Sequence, residues 1–222
     1  HHFHADRDRS GSWSPLELRT RHWSAAEMRS QLEASLGALR TDYIDLLQFH
    51  SPTNAEFVNE ELWTELERVK QEGKVRFVGL SISDNTNLLQ VERAPEAHCE
   101  ALQIIYNRLD RGPEGPVFDA VEKAGMGVLA RVPLASGFLT GKYGPGTTFA
   151  ESDWRSGWGQ EKIDAMAAEV ARIRADELPD EAPMAEWALV WPLRHSAVTA
   201  VIPGCKNVEQ TRGNARAVRW LV

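Results

Sequence analysis

Apolar residues recur along this chain in two alternating registers. One has the three- and four-residue spacing of an amphipathic helix, the other is a short run apolar at nearly every position. Ser24-Ala25-Ala26-Glu27 reads as a capping box, the hydroxyl and carboxylate each taking a free amide at a helix start. Met28, Leu32, Leu36 and Leu39 follow and give that helix one apolar face. Tyr43-Ile44-Asp45-Leu46-Leu47-Gln48-Phe49 reads as a buried strand, closed by His50-Ser51-Pro52 because proline cannot extend a ladder. The unit then recurs. A helix over Glu60–Glu72 (Leu62, Leu66 and Val69 on one face, Gly73 as its stop) leads into a strand over Val75–Ser81. A short helix over Thr86–Glu92 precedes a strand over Leu102–Tyr106, and a helix over 114–124 precedes a strand over Gly127–Val132. Helices near 161–176 and 182–191 follow a Gly/Pro/Thr-rich loop at 144–148, then a strand over Val198–Ile202 and a helix over 207–219.

Strands alternating with helices imply right-handed crossovers and parallel pairing. Strands apolar on both faces imply burial between two layers. Five such units fit an open doubly wound sheet or most of an eight-stranded barrel, and periodicity does not choose between them. No domain boundary stands out, so 1–222 is expected to be a single domain with 1–23 as a loop. That first stretch is polar, lacks helical periodicity and has no initiator Met. The expectation is a piece of a longer chain.

At 222 residues and 42% hydrophobic, the chain is long enough to bury a sizeable core. A net charge of -7 argues against broad binding to nucleic acid or anionic membrane. Cys99 and Cys205, without a CxxC spacing, read as free thiols of a reducing cytosol. No apolar run approaches the length of a membrane span, and the polar start is no signal peptide. His1, His2 and His4 have no structured acidic or cysteine partner nearby, so no metal site is expected. Oligomeric state leaves no mark on the sequence.

In a βα barrel, chemistry gathers at the C-terminal ends of the strands. Those positions hold His50; Ser81, Ser83 and Asp84; Tyr106 and Asn107; Arg131 to Ser136; and Pro203-Gly204. Lys206, Gln210 and Asn214 are spaced four apart and would share a helix face. Gly204 at that helix start permits close backbone approach, where free amides favour an anion. A lysine beside two amides suits an adenosine 2′-phosphate with its base, although an ordinary solvated face carries the same pattern.

Five segments together resemble the aldo-keto reductases. Asp45-Leu46-Leu47-Gln48-Phe49-His50-Ser51-Pro52 is similar to their DLLxxHxP strand, Gly79-Leu80-Ser81 to their GxS strand, and Leu102–Asn107 to their LQxxYN strand. Pro133–Tyr143 is similar to PLASGxLTGKY, and Ile202-Pro203-Gly204 with Lys206, Gln210 and Asn214 to IPGxxxxxQxxxN. The resemblance implies a (β/α)8 TIM barrel, here about five of the eight βα units, with NADPH as cofactor. It implies that His50 orients the substrate carbonyl, and that Ser81 and Gln103 match the positions that hold the nicotinamide carboxamide. Ile82 stands where many members have a second polar contact. Arg131 occupies the place of a stacking aromatic ring, a role a planar guanidinium can fill. Leu134, Gly137 and Lys142 would wrap the pyrophosphate. With Pro203 and Gly204 at the final strand's exit, Lys206 would meet the 2′-phosphate, and Gln210 and Asn214 the adenosine.

The family's acid catalyst is a tyrosine tuned by a lysine and an aspartate, all preceding the histidine strand. Before His50 this chain has no lysine, and its only tyrosine, Tyr43, begins the same strand, at the wrong end. The expectation is a cytoplasmic NADPH-dependent reductase of small aldehydes or ketones, with this stretch inactive alone and carrying two unpaired sheet edges. The alternatives are a non-catalytic NADPH-binding regulatory subunit of the same fold and a degenerate relic. Trp13, Trp23, Trp154 and Trp158 are candidates for a substrate rim.

Overall fold

A computed structural model describes residues 3–4, 17–18 and 24–221. Expectations resting on His1, His2, Trp13 and Trp23, and most of the proposed 1–23 loop, lie outside the described residues. Two compact units divide the chain, 1–102 and 103–222.

In the first unit, β1 (Phe3–His4) and β2 (Glu17–Leu18) form a short antiparallel pair. Next comes α1 (Ala25–Leu39), whose N-cap Ser24 accepts from the Glu27 amide at 3.2 Å. The Glu27 carboxylate instead accepts from Gln31 Nε2 at 2.8 Å, so only half of the expected capping box forms. Leu32 and Leu36 are buried while Leu39 is 66% exposed, so the apolar face is narrower than its spacing suggests. After β3 (Ile44–His50) a short α2 (Asn54–Phe57) opens with a complete capping box between Thr53 and Glu56, at 2.6 and 3.2 Å.

Helix α3 (Glu60–Gln71) buries Leu62, Leu66 and Val69, as its periodicity predicts. It stops at Gly73, at φ +76°, where the Gly73 amide bonds Lys70 O and the Lys74 amide bonds Val69 O. That is a Schellman closure, which needs the left-handed residue. Strand β4 (Val75–Ser81) pairs parallel with β3 from Ile44↔Val75 to His50↔Ser81. After α4 (Leu88–Arg93), β5 (Ala101–Ile105) begins. At Gly79 a Cβ would sit 3.1 Å from Ala101 O and 3.1 Å from Leu46 Cδ1, so any side chain there would push its neighbours by a few tenths of an ångström.

Charges tie α1 to α3. Arg29 bonds both Glu65 and Glu72, the latter at 2.8 and 2.9 Å, while Lys74 bonds Glu33. The hydrogen bond from Arg29 lowers the Glu72 carboxyl from its ordinary 4.5 to about 2. A depressed carboxylate stabilises the fold above its unfolded pKa and loses that contribution as pH falls through the folded value. Urea titrations of wild type and Glu72→Gln should therefore differ at pH 6, with the gap closing as pH drops from about 4.5 toward about 2. A gap that stays constant with pH would show that the pair contributes nothing through its charge.

The second unit contains α5 (Pro116–Ala124), β6 (Gly127–Arg131), a 3-10 segment at Ala135–Thr140 and another at Trp154–Gly157. There follow α6 (Gln160–Asp176), α7 (Met184–Val190), β7 (Val198–Ile202) and α8 (Val208–Arg216). Strands β6 and β7 pair parallel, with a register shift after Val128, where the Val128 amide bonds the Thr199 hydroxyl at 3.1 Å. Phe138, Leu139, Ile163, Val170, Ile173 and Trp187 form the centre of the core. Glu186, 8% exposed on α7, accepts from Arg216 Nε at 3.2 Å and Trp220 Nε1 at 3.1 Å and so anchors the end of α8.

Strand order is sequential, β3-β4-β5-β6-β7, in one parallel sheet. Burial on both faces, expected for every strand, is approached only in β4 beyond Phe77. In β5 and β6 burial alternates, because successive side chains point to opposite faces and only one face is covered among the described residues. In β3 only Phe49 is buried.

Candidate functional site

The first unit places His50 and Ser81 side by side at the C-terminal ends of β3 and β4. His50 is exposed and Ser81 is 1% exposed. Directly after His50 the chain turns through Ser51 at φ +54°, whose amide bonds Ser81 O at 2.6 Å. A left-handed non-glycine residue at a strand exit is strained, and such strain gathers at functional turns. Ile82 is fully buried and has no polar group to offer a ligand. Asp84 accepts from the Thr86 amide and hydroxyl at 2.9 and 2.8 Å and shapes the turn instead of projecting from it.

In the second unit, Gln103 and Arg131 lie on the half-exposed faces of β5 and β6. Arg131 pairs in register with Ile202. Burial lowers the guanidinium pKa, against a smaller opposing effect of Asp110. Two neighbouring strand-exit residues prove structural. Tyr106 is buried against Phe118 and donates to Glu114 at 2.8 Å. Asn107 accepts from the Leu109 and Asp110 amides and donates to Val132 O at 3.1 Å.

Beyond β6 the backbone is unusual. Val132, Ala135 and Ser136 adopt φ of +56°, +45° and +57°, and Gly137 follows at +94°. A Cβ at Gly137 would make only ordinary contact, 3.4 Å from the Tyr143 ring and 3.5 Å from an Arg155 nitrogen, so it is the positive φ that calls for glycine there. Leu134 is half-buried, and the Lys142 ammonium lies 4.7 Å from the Tyr143 ring centroid.

Arg155, which sequence reasoning passed over, holds this loop. Its Nη1 donates to Ser136 O at 2.7 Å and to the Tyr143 hydroxyl at 2.9 Å. Its Nε and Nη2 grip both oxygens of Asp153 at 2.9 and 2.6 Å. The guanidinium carbon sits 4.1 Å from the Phe149 ring centroid and 5.2 Å from that of Tyr143. Burial pushes the Tyr143 phenol up, but donation from Lys142 and Arg155 outweighs it, and the net shift is downward. The hydrogen bonds of Arg155 hold the Asp153 carboxyl far below the ordinary range, and the charge of Lys206 adds to the effect.

Lys206 is exposed two residues ahead of α8, so the expected three-residue helix face is really a turn residue followed by Gln210 and Asn214 on the helix. The helix starts at Asn207, whose carboxamide accepts from the Gln210 amide at 2.8 Å. Gln210 Oε1 in turn accepts from the Lys206 amide at 2.7 Å. Pro203 is half-buried, and a Cβ on Gly204 would meet nothing within 4 Å, which leaves open room beside its backbone. Of the proposed rim tryptophans, Trp158 stacks on Phe138 as part of the core, whereas Trp154 is 68% exposed. Among the described residues no group of three or more His, Cys, Asp or Glu is placed to hold a metal, and no helix is long and apolar enough to cross a membrane.

The family profile described as "Aldo/keto reductase family" matches residues 17–221. The chain is 31% identical over 194 residues to an uncharacterised oxidoreductase, YqkF, of Bacillus subtilis, covering 87% of this chain and 61% of that protein. It is 27% identical over 201 residues to an NADH-specific methylglyoxal reductase of Escherichia coli, covering 88% of this chain and 60% of that protein. The holo form of an aldo-keto reductase from Bacillus halodurans superposes with a TM-score of 0.70 at 27% identity, covering 90% of this chain and 64% of that one. The chain thus spans about three-fifths of the length of the curated relatives it matches.

Proposed function

Because this chain belongs to the aldo/keto reductase family, with the α/β architecture of its barrel, we propose that it carries the nucleotide-holding part of an NADPH-dependent reductase of small aldehydes or ketones. The observation that carries the reading lies in the second unit. There Lys206 and the open backbone at Gly204 lie just ahead of the start of α8, where an anion is favoured by free amides and the helix dipole. The residues present fit a dinucleotide. Lys206 takes the 2′-phosphate, the strained loop with Leu134, Gly137 and Lys142 takes the pyrophosphate, and Asn214 with the Gln210 amide nitrogen takes the adenosine. Pro203 and Gly204 line its approach.

When bound, the cofactor supplies a hydride. Arg131 offers a planar guanidinium to the nicotinamide ring, and Gln103 its carboxamide hydrogen bond. In the first unit, Ser81 and His50 match the family positions for a carboxamide contact and for the hydrogen bond that orients a substrate carbonyl oxygen. A tyrosine with a lysine and an aspartate, needed to protonate the developing alkoxide, does not precede His50 in these 222 residues. We therefore expect nucleotide binding without turnover from this chain, in a cytoplasmic setting.

Titration of the 222-residue chain with NADPH, followed by nucleotide fluorescence, tests the reading, and aldehydes are then added. The expected result is saturable binding and no consumption of NADPH. Absence of binding removes the cofactor assignment. Robust NADPH oxidation removes the expectation that these 222 residues lack an acid catalyst.

A further inference from the structure

Helix α3 carries Glu60, Trp63, Thr64 and Glu67 at offsets of three, four and seven residues, so the four stand in one stripe along its surface. Between that stripe and the chain at the end of α4, where Arg93, Glu96 and His98 stand, lies a groove of about 380 Å³, the size of a small-molecule site. All of its walls belong to the first unit, and the nucleotide reading uses none of them. We propose that this groove binds a linear diamine or polyamine, whose two ammonium ends pair with Glu60 and Glu67 while its methylene chain crosses Trp63.

The aromatic wall is fixed in place. The Trp63 ring meets Phe49 edge-on at 5.0 Å and Phe57 at 5.2 Å, and its indole N–H donates to Phe57 O. That N–H is the only polar group of the ring, so what Trp63 can offer a ligand is carbon surface and a π face that attracts cations. The charge left over in the groove is negative. Arg93 is bound to Glu96 at 3.1 Å, whereas Glu60 and Glu67 stand in no salt bridge among the described residues. Glu67 accepts only a long bond from Gln71, at 3.4 Å, and both carboxylates are on exposed residues, so a ligand reaches them without displacing a cation. Spacing then selects the ligand. Seven residues of helix separate Glu60 from Glu67 by about 10.5 Å, at about 1.5 Å per residue. Extended octamethylenediamine or spermidine carries its end nitrogens about that far apart, and tetramethylenediamine falls short. A lysine or arginine side chain brings one charge and leaves the other carboxylate unpaired.

The full chain is titrated at low salt with octamethylenediamine and with tetramethylenediamine, which carry the same charge and differ in span. Indole N–H resonances are followed by two-dimensional NMR, with Trp63→Phe assigning the Trp63 signal. That signal should move saturably, with the longer diamine bound about fivefold more tightly, the upper end of what one more exposed ion pair contributes. Glu60→Gln and Glu67→Gln should each weaken the longer diamine about fivefold and abolish the preference for length. Glu61→Gln removes the same charge from the same helix outside the groove and should change affinity less than about twofold. Equal affinity for the two diamines, or equal losses in Glu61→Gln and Glu60→Gln, overturns the inference in favour of diffuse attraction to a chain of net charge -7. A Trp63 signal that does not move overturns it outright. The length comparison needs only wild type, so the test stands whether or not a variant folds, and no outcome bears on the binding of NADPH.

Discussion

Replacing Lys206 with alanine is expected to lower NADPH affinity about tenfold and Lys206→Glu about 100-fold, with NADH affinity changing less than about threefold in either variant. A hydrogen bond to a charged group contributes about 1.5–3 kcal/mol, and each 1.4 kcal/mol is a factor of about ten in affinity. Lys206 is exposed and its charge is screened, which places the alanine variant at the lower end of that range. Charge reversal adds repulsion to the lost attraction. The surrounding structure makes the result easy to interpret. Lys206 contributes to the helix start only through its backbone amide, which donates to Gln210, and that bond survives any side-chain change. Helix α8 is held from elsewhere, by the Asn207 cap and by Glu186 through Arg216 and Trp220. A loss shared equally by NADPH and NADH would mean that Lys206 reads the pyrophosphate or holds the loop, and its assignment to the 2′-phosphate would fall.

Much of the architecture could be read from residue spacing alone. Helices α3 and α6 and strands β4 and β7 begin and end within about two residues of their periodic runs, because a wide apolar face and a clear stop signal such as Gly73 coincide there. What escaped detection has physical causes. Helix α2 is four residues long, too short for any period, and only its Thr53–Glu56 capping box marks it. The bend at Ala135–Gly137 is set by positive φ, at Ala135 and Ser136 in residues whose type gives no warning of it. The half-exposed faces of β5 and β6 were unreadable because an apolar residue looks the same whether or not something covers it.

The candidate site divides in the same way. Lys206, Gln210 and Asn214 stood out through their four-residue spacing, and Gly204 as a glycine at the helix start. Arg155 did not, since its partner Ser136 is 19 residues upstream and Tyr143 is 12. The pair Asp153-x-Arg155 in an aromatic-rich loop was the available hint, and it acquires meaning only when Phe149 and Tyr143 are folded onto the guanidinium.

Phe138→Ala should be among the most damaging single substitutions in the second unit, costing about 3–5 kcal/mol. Phe138 is fully buried, and its ring lies 5.1 Å from Tyr143, 6.2 Å from Phe149 and 6.0 Å from Trp158. Truncation removes the hydrophobic contribution of the ring and leaves a cavity among aromatic groups too large to close over it. The damage should also reach the site. Tyr143 and Phe149 are the rings that flank Arg155, so losing their support frees the guanidinium to leave Ser136 O and the strained loop to relax. NADPH affinity should then fall along with stability. Trp154→Ala serves as the control, since that ring is 68% exposed and meets Trp158 edge-on. It should cost under about 1 kcal/mol. Urea unfolding followed by tryptophan fluorescence measures both variants, with Trp158 stacked on the altered position as a local reporter. If Phe138→Ala costs no more than Trp154→Ala, the aromatic cluster does not support the loop, and the link drawn here between core packing and the grip on nucleotide is wrong.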